Sequence, residues 1–345
     1  MAKSPAPTAT VMASSAMQVT SVRDAPFNAK GDGDADDTDA VQRAVDWTQD
    51  RARGHIHFPI GRYKLTRPVT WERPECDIGF LGEPGAEIFG DFPDWLLLRS
   101  MKSPIGGVHT IEKLRFQNHH PKGKGVAFHS CVGASIENCY ISCNRPLETY
   151  NSQSIKVDTC SIICPGQSSA DSVGIMAGNS TYVYNTDVTG FTHGIRHQNL
   201  GLVVYGGRME VNDHAIYIGM NQNGEVWQSN GFDIAGVSME SNNVGVFVHA
   251  GAAGAIRGMA ISCNVEGKKA GVYVHDGEQI AIQAVSVSNG FAFSDAGIFL
   301  NNPKRSTFSA LRINVKSGKA WHTPPKSEWA ERQLEFSPSC TPEPG

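Results

Sequence analysis

Two strand-like motifs alternate in phase along most of this chain, and that alternation limits the fold more than any other feature. From about His109 the sequence falls into coils of roughly 20 to 30 residues. One motif reads IENCYISCN at 136–144, VDTCSIICP at 157–165, YNTDVTGFT at 184–192 and VYGGRMEVN at 204–212. It returns as IAGVSMESN (234–242), IRGMAISCN (256–264), IQAVSVSNG (282–290) and FSALRINVK (308–316). The other opens on Gly or Ala before alternating apolar residues, as in GVAFH from Gly125, GIMAG from Gly174, GIRH from Gly194 and AIYIG from Ala215. GVFVH from Gly245, GVYVH from Gly271 and GIFLN from Gly297 continue it. Two in-phase strands per repeat, with no room between them for helices of 10–15 residues, predict an all-β parallel β-helix and exclude a doubly wound α/β sheet. About nine such coils at ~4.8 Å each make a stack about 43 Å long.

Period-2 alternation sorts the faces of the first motif. Its fourth, sixth and eighth residues are mostly apolar and are expected inside, including Cys139, Ile141, Cys143, Cys160, Ile162 and Cys164. Cys139 then stacks on Cys160 and Cys143 on Cys164, as small buried thiols. The C-x3-C spacing is a poor match to a zinc knuckle, so no metal and no cofactor is expected. The ninth residue, Asn144, Asn212, Asn242 or Asn264, suits a structural asparagine ladder at a corner, since Asn tolerates left-handed backbone and bonds neighbouring amides.

Charge excludes two function classes. Thirty Lys+Arg against 34 Asp+Glu leave −4, which gives no basic excess for neutralising a phosphate backbone; nucleic acid is not an expected partner. Trp95–Leu98 is the longest run with a large apolar residue at every position, so no membrane partner is expected either. Residues 1–20 lack the apolar core of a secretion signal and read as a flexible leader or attachment arm.

Residues 29–65 carry a more specific pattern: AKGDGD at 29–34, DDTDAVQRAVD at 36–46 and FPIGRYKL at 58–65. Asp36 or Asp37 can cap a short helix whose Ala40, Val41, Ala44 and Val45 form one apolar stripe able to cover the open end of a β stack. The aspartates at 32, 34, 36 and 37 suit turn and capping roles better than calcium binding. In order and spacing these three pieces resemble the opening of the pectate-lyase superfamily, right-handed β-helices that include phage tailspikes and pectin-degrading enzymes. The resemblance implies a cap helix and first coils over 21–108, the β-helix proper over 109–318, and a C-terminal cap or tail over 319–345. It also implies where pectin hydrolysis would reside, yet Asn185-Thr186-Asp187 lacks the partner motifs of that branch, and the alignment above puts Asp187 inside. Nor is there a lyase-type set of calcium-binding acids beside a base.

Candidate chemistry comes from an outward column of the first motif: Ser142, Ile163, Gly190, Glu210, Glu240, Ser262, Ser288 and Asn314. Glu210 and Glu240 fall on consecutive coils, at a separation compatible with a retaining glycosidase pair. Asp213 completes the catalytic candidates. His214 beside it, with Glu225 and Trp227 from the insertion at 220–231, are the candidate substrate contacts, an exposed Trp being a platform for a sugar ring. His249 and His275 should stack on adjacent coils as a polar pair without a third metal ligand.

The expected function is that of a phage tailspike-like virion protein that binds, and can cleave, a bacterial surface polysaccharide; if an enzyme, it is a glycoside hydrolase rather than a lyase. The virion location, homotrimer formation and docking to other virion proteins through the N-terminal arm follow from the resemblance and the missing signal. Two alternatives stand beside it: a non-catalytic virion scaffold, and a bacterial carbohydrate-active β-helix enzyme.

Overall fold

The computed structural model describes residues 18–100, 106–166, 171–221, 223–263, 268–289, 295–315 and 319–337. Within them the chain winds as an all-β right-handed parallel β-helix, its strands pairing in parallel with their counterparts one coil away, with a register shift between Asp32–Asp36 and Arg62–Leu65. Each coil contributes three strands, where the sequence suggested two. Gly133–Glu137 and Tyr140–Ser142, for example, belong to different sheets although they lie in one sequence motif. We call the sheet opened by the Gly/Ala motif the first, and the two halves of the other motif the second and third. The long strand Ala270–Gln283 runs through both the first and the second.

The divided motif has a backbone cause. Lys113, Asn138, Thr159, Asn185, Ala284 and Ala310 all have φ between 45° and 57°, and Gly206, Gly236 and Gly258 occupy the same place with φ of 58–69°. A single left-handed residue turns the chain from second sheet to third, and it inverts the alternation. Ile136 and Cys139 therefore both point inward although they lie three positions apart. One coil of the sequence alignment is also corrected, its motif starting at Val183 and not at Tyr184. Ser161 pairs with Asp187 and Ile163 with Thr189, so Asp187 faces out with 44% of its side chain exposed, and Thr189, not Gly190, joins the outward column.

The interior otherwise follows the expected ladders. Cys139, Cys143, Cys160 and Cys164 are buried and free. Asn212 and Asn242 are buried too, with the Asn242 Oδ1 accepting from the Asn212 amide at 2.9 Å and the Asn212 side chain at 3.0 Å, and the Asn242 Nδ2 donating to the Met209 carbonyl at 2.8 Å. The left-handed residue at this corner is the one before each asparagine, Val211 and Ser241, and not the asparagine itself. Asn264 and Cys340 lie outside the described residues.

The stack is longer than nine coils. Twelve third-sheet strands are described, beginning at Asp32–Asp36, so eleven intervals of ~4.8 Å span about 53 Å. At the N-terminal end the helix Thr38–Asp50 lays Val41, Ala44 and Val45, all fully buried, on the first coils. Asp37 occupies the N-cap position but turns its side chain to the preceding loop, accepting from the Lys30 and Gly31 amides, while Asp36, one residue before it, accepts from the Thr38 amide at 3.0 Å. The leader is outside the described residues up to Met17. At the other end Phe336 stacks on Phe308 and on Trp329, closing the last coil. No described helix is long and apolar enough to cross a membrane.

Candidate functional site

Glu210 and Glu240 do lie side by side. Strands Arg208–Glu210 and Ser238–Glu240 pair residue for residue, and because Met209 and Met239 fill the interior, both glutamates point outward on the third sheet. Arg208 bridges two coils, its guanidinium 3.2 Å from the Glu210 carboxylate and 3.7 Å from that of Asp187. Asp187 also edges a surface groove of about 550 Å³ that passes Lys113, Arg115, Tyr140, Ser161 and Asn185. Arg208 and Asp187 are about half exposed, and contacts of that kind contribute little to stability, on the order of 1 kcal/mol or less.

Asp213 and His214 belong to a different face. The corner after Glu210 delivers His214 to the start of the first-sheet strand His214–Ile218. Its Nδ1 lies 3.1 Å from the Asp213 Oδ2, and the Asn243 side chain donates to the other Asp213 oxygen at 2.7 Å. These contacts, His214 first, hold the Asp213 carboxyl down at about 2. The His214 ring sits 5.1 Å from that of Tyr217 and 5.2 Å from that of His193. Burial pushes His193 down to about 3, so it is neutral.

One outward column of this sheet reads Met176, Arg196, Tyr217, Phe247, Tyr273, Phe299 and His322. Its lower rings cover each other, Tyr273 on Phe299 at 4.4 Å and Phe299 on His322 at 4.1 Å. They therefore show edges to solvent and bind the coils together. The upper part is polar. Arg196 is only 6% exposed, lies against the sulfurs of Met176 and Met220, and burial lowers its pKa to about 10. The Tyr217 hydroxyl is 2.6 Å from the His249 Nδ1. Burial pushes the phenol up to about 12 and, with help from His275, pushes His249 down. A neutral imidazole beside a protonated phenol means Tyr217 donates and His249 accepts.

The insertion borders this same face. Met220, at its foot, touches Arg196, and the loop is closed by the Asn221 side chain donating to the Glu225 carboxylate at 2.8 Å and by the Trp227 amide donating to the Gly219 carbonyl. Trp227 remains 52% exposed. The six sequence candidates thus divide: Glu210 and Glu240 stand on the third sheet, while Asp213, His214, Glu225 and Trp227 surround the upper end of the first. Arg196, Tyr217 and His193 were not singled out from sequence. The signal for the first two was present, since the third residue of each Gly/Ala motif reads Arg196, Tyr217, Phe247, Tyr273 and Phe299. His249 and His275 do stack, with ring centres 5.1 Å apart, and Tyr217 joins them. Among the described residues no cluster of three or more His, Cys, Asp or Glu is arranged to hold a metal.

Comparison with known proteins agrees with the fold. A family model described as "Rhamnogalacturonase A/epimerase, pectate lyase-like" matches residues 19–180. No curated protein sequence matches. The endo-xylogalacturonan hydrolase of Aspergillus tubingensis superposes with a TM-score of 0.62 at 10% identity, covering 86% of this chain and 93% of that one. The mannuronan C-5 epimerase AlgE6 A-module of Azotobacter vinelandii gives 0.58 at 13% identity, covering 92% and 99%. The Dettilon tailspike protein gives 0.55 at 12% identity, covering 89% of this chain and 69% of the tailspike. At such identities the likeness is one of fold.

Proposed function

We propose that this chain, a pectate-lyase-like right-handed β-helix, is a carbohydrate-active protein that takes an acidic polysaccharide across the outer face of its first sheet and moves a proton on a uronate ring. The observation that carries this reading is the 2.6 Å Tyr217–His249 pair beside the covered cation of Arg196. Removing the proton next to a uronate carboxylate builds negative charge on that carboxylate, and a cation held in a poorly hydrated site is the counter-charge such a step needs. Tyr217, protonated, is the proton donor, turning its O–H from the His249 Nδ1 to the substrate, and the phenolate it leaves is reprotonated from solvent. His214, whose Nδ1 lies 3.1 Å from the Asp213 carboxylate, offers its Nε2 as the base. Perturbed groups converging on one face are what proton-transfer sites display. The uronate-acting relatives, an epimerase and a xylogalacturonan hydrolase, support the substrate class.

A second reading is favoured by the in-register Glu210–Glu240 pair and the groove beside Asp187. Here the two carboxylates hydrolyse a glycosidic bond, the glycan is a bacterial surface polysaccharide, and the protein works as a homotrimeric virion component, as the tailspike likeness suggests.

One assay separates them. The protein is incubated with polymannuronate, polygalacturonate, host surface polysaccharide and a neutral glucan, while solvent deuterium uptake at C5, unsaturated uronate and new reducing ends are followed together. Deuterium uptake or unsaturated product, reduced about 100-fold or more in Tyr217→Phe and His214→Gln but not in Glu210→Gln, supports the first-sheet site. Reducing ends lost in Glu210→Gln or Glu240→Gln, with Tyr217→Phe active, transfer the activity to the third sheet. A folded protein inert on every glycan overturns both enzymatic readings.

A further inference from the structure

The lumen of the β-helix contains a cation with no counter-ion. Arg99 points inward because it follows Leu97 by two residues in the first-sheet strand Trp95–Arg99, and it is fully buried. Its Nη atoms donate to the carbonyls of Ser100 at 2.8 Å, His129 at 3.2 Å and Gly106 at 3.5 Å. Its Nε has no partner. Among the described residues none of its contacts is a carboxylate, so the positive charge stays uncompensated in an apolar interior, a costly arrangement.

Two further donors share the problem. Trp71 pairs with Arg99 one coil above and is itself almost wholly buried, and its indole Nε1 has no partner. His109, fully buried on the facing second sheet, has neither ring nitrogen in good hydrogen-bond geometry, although the Ile78 backbone lies close enough to act on the imidazole, and its ring lies 5.6 Å from that of Trp71 and 6.0 Å from that of Phe128, which pairs with Arg99 on the next coil. Burial pushes His109 down to about 3, so it adds an N–H but no charge. Cys76 and Cys131 feel the Arg99 charge, yet burial raises both thiols and leaves them protonated. Asp77, the carboxylate that acts on Cys76, accepts from the Val108 amide and makes no contact with Arg99 among the described residues.

The geometry points to a buried halide-class anion held in the lumen by the Arg99 Nε–H, the Trp71 Nε1–H and a His109 N–H. Three unpartnered nitrogen donors on three neighbouring strands, one of them cationic, suit a small monovalent anion. A carboxylate- or phosphate-bearing ligand would bring more oxygens than there are donors. The site is internal and separate from both outer faces, so its role is structural: the anion neutralises the lumen and joins the first and second sheets.

The test uses the full chain. Crystals grown with bromide should give an anomalous peak within hydrogen-bond distance of the Arg99 Nε and Trp71 Nε1, and the melting temperature should rise saturably with chloride or bromide against gluconate at constant ionic strength. Trp71→Phe keeps the packing and deletes one donor; it should raise the halide midpoint at least tenfold. Arg99→Met should abolish the halide dependence, and if that variant does not fold, Trp71→Phe and the bromide peak still decide. An ordered water where bromide should sit, or a melting temperature indifferent to halide in the parent protein, overturns the proposal.

Discussion

His197 shows how much one residue's environment decides here. It alternates with Ile195 on the inward side of its strand, is fully buried, and has an Nε2 with no partner. Burial lowers its pKa from 6.5 to about 4. The folded protein therefore keeps it neutral while the unfolded chain takes up a proton as soon as pH drops below 6.5. The stability this neutrality protects is complete above 6.5 and is lost as pH falls to about 4, at about 1.4 kcal/mol per pH unit for one proton. His197→Leu should flatten that part of the stability–pH curve by one proton's slope, as read from urea midpoints across the window. An unchanged slope would place the titration elsewhere. The sequence showed His197 only as the last letter of GIRH, and nothing in that string says which side of the sheet it faces. Arg196, one residue earlier and on the opposite face, was placed by the motif, but its importance was hidden, because that comes from Met176 and Met220 closing over it.

The strands were easier to read than the bends between them. Apolar alternation located most of them, and the register of Glu210 on Glu240 was correct, because a one-residue slip would have turned Met209 and Met239 out to solvent. What could not be read was the single left-handed residue joining second and third sheets. Lys113, Asn138, Thr159 and Ala284 share that conformation with no shared chemistry, so the inverted parity had no sequence signal, whereas the outward face of Asp187 did, because the Val-Tyr at 183–184 repeats the Val-Tyr at 204–205 and sets the motif's start at Val183. The same backbone demand exposes a weak point. Val211 is β-branched, 60% exposed, and held at φ 56°. Such a residue is strained in this region, while asparagine accepts it. Val211→Asn should stabilise the protein by about 1 kcal/mol, seen as a higher urea midpoint at unchanged slope; a lower midpoint would show that the valine's contacts outweigh its strain. Asn242→Ala, by contrast, leaves the Asn212 donors and the Met209 carbonyl without their partner inside the stack, and should cost about 2–3 kcal/mol.

For the molecule as a whole, the consequence of stacking is that each coil rests chiefly on its neighbours, so stability is a chain of local interfaces and the two ends are where unfolding starts. Trp329, Leu334 and Phe336 protect one end, and the helix Thr38–Asp50 protects the other. Its buried Val41, Ala44 and Val45 face strands from several coils at once, including Arg53–Phe58 and Val69–Trp71. Val45→Asp would put an unpaired carboxylate against that apolar cross-section, a change of about 3–5 kcal/mol. In a cooperative globule the penalty would fall on every residue equally. In a solenoid it should fall on the coils under the cap: amide exchange should accelerate strongly in Arg53–Phe58 and Asp77–Gly82, while the distant strands His214–Ile218 and Val244–Val248 keep most of their protection. Uniform loss of protection would mean that the twelve described third-sheet strands fold as a single unit. Retained protection at the distant strands has a functional corollary, because Tyr217 and His249 lie there. A variant frayed at its cap should then keep the proton-transfer activity proposed for the first sheet, so activity and N-terminal stability would be separable in one molecule.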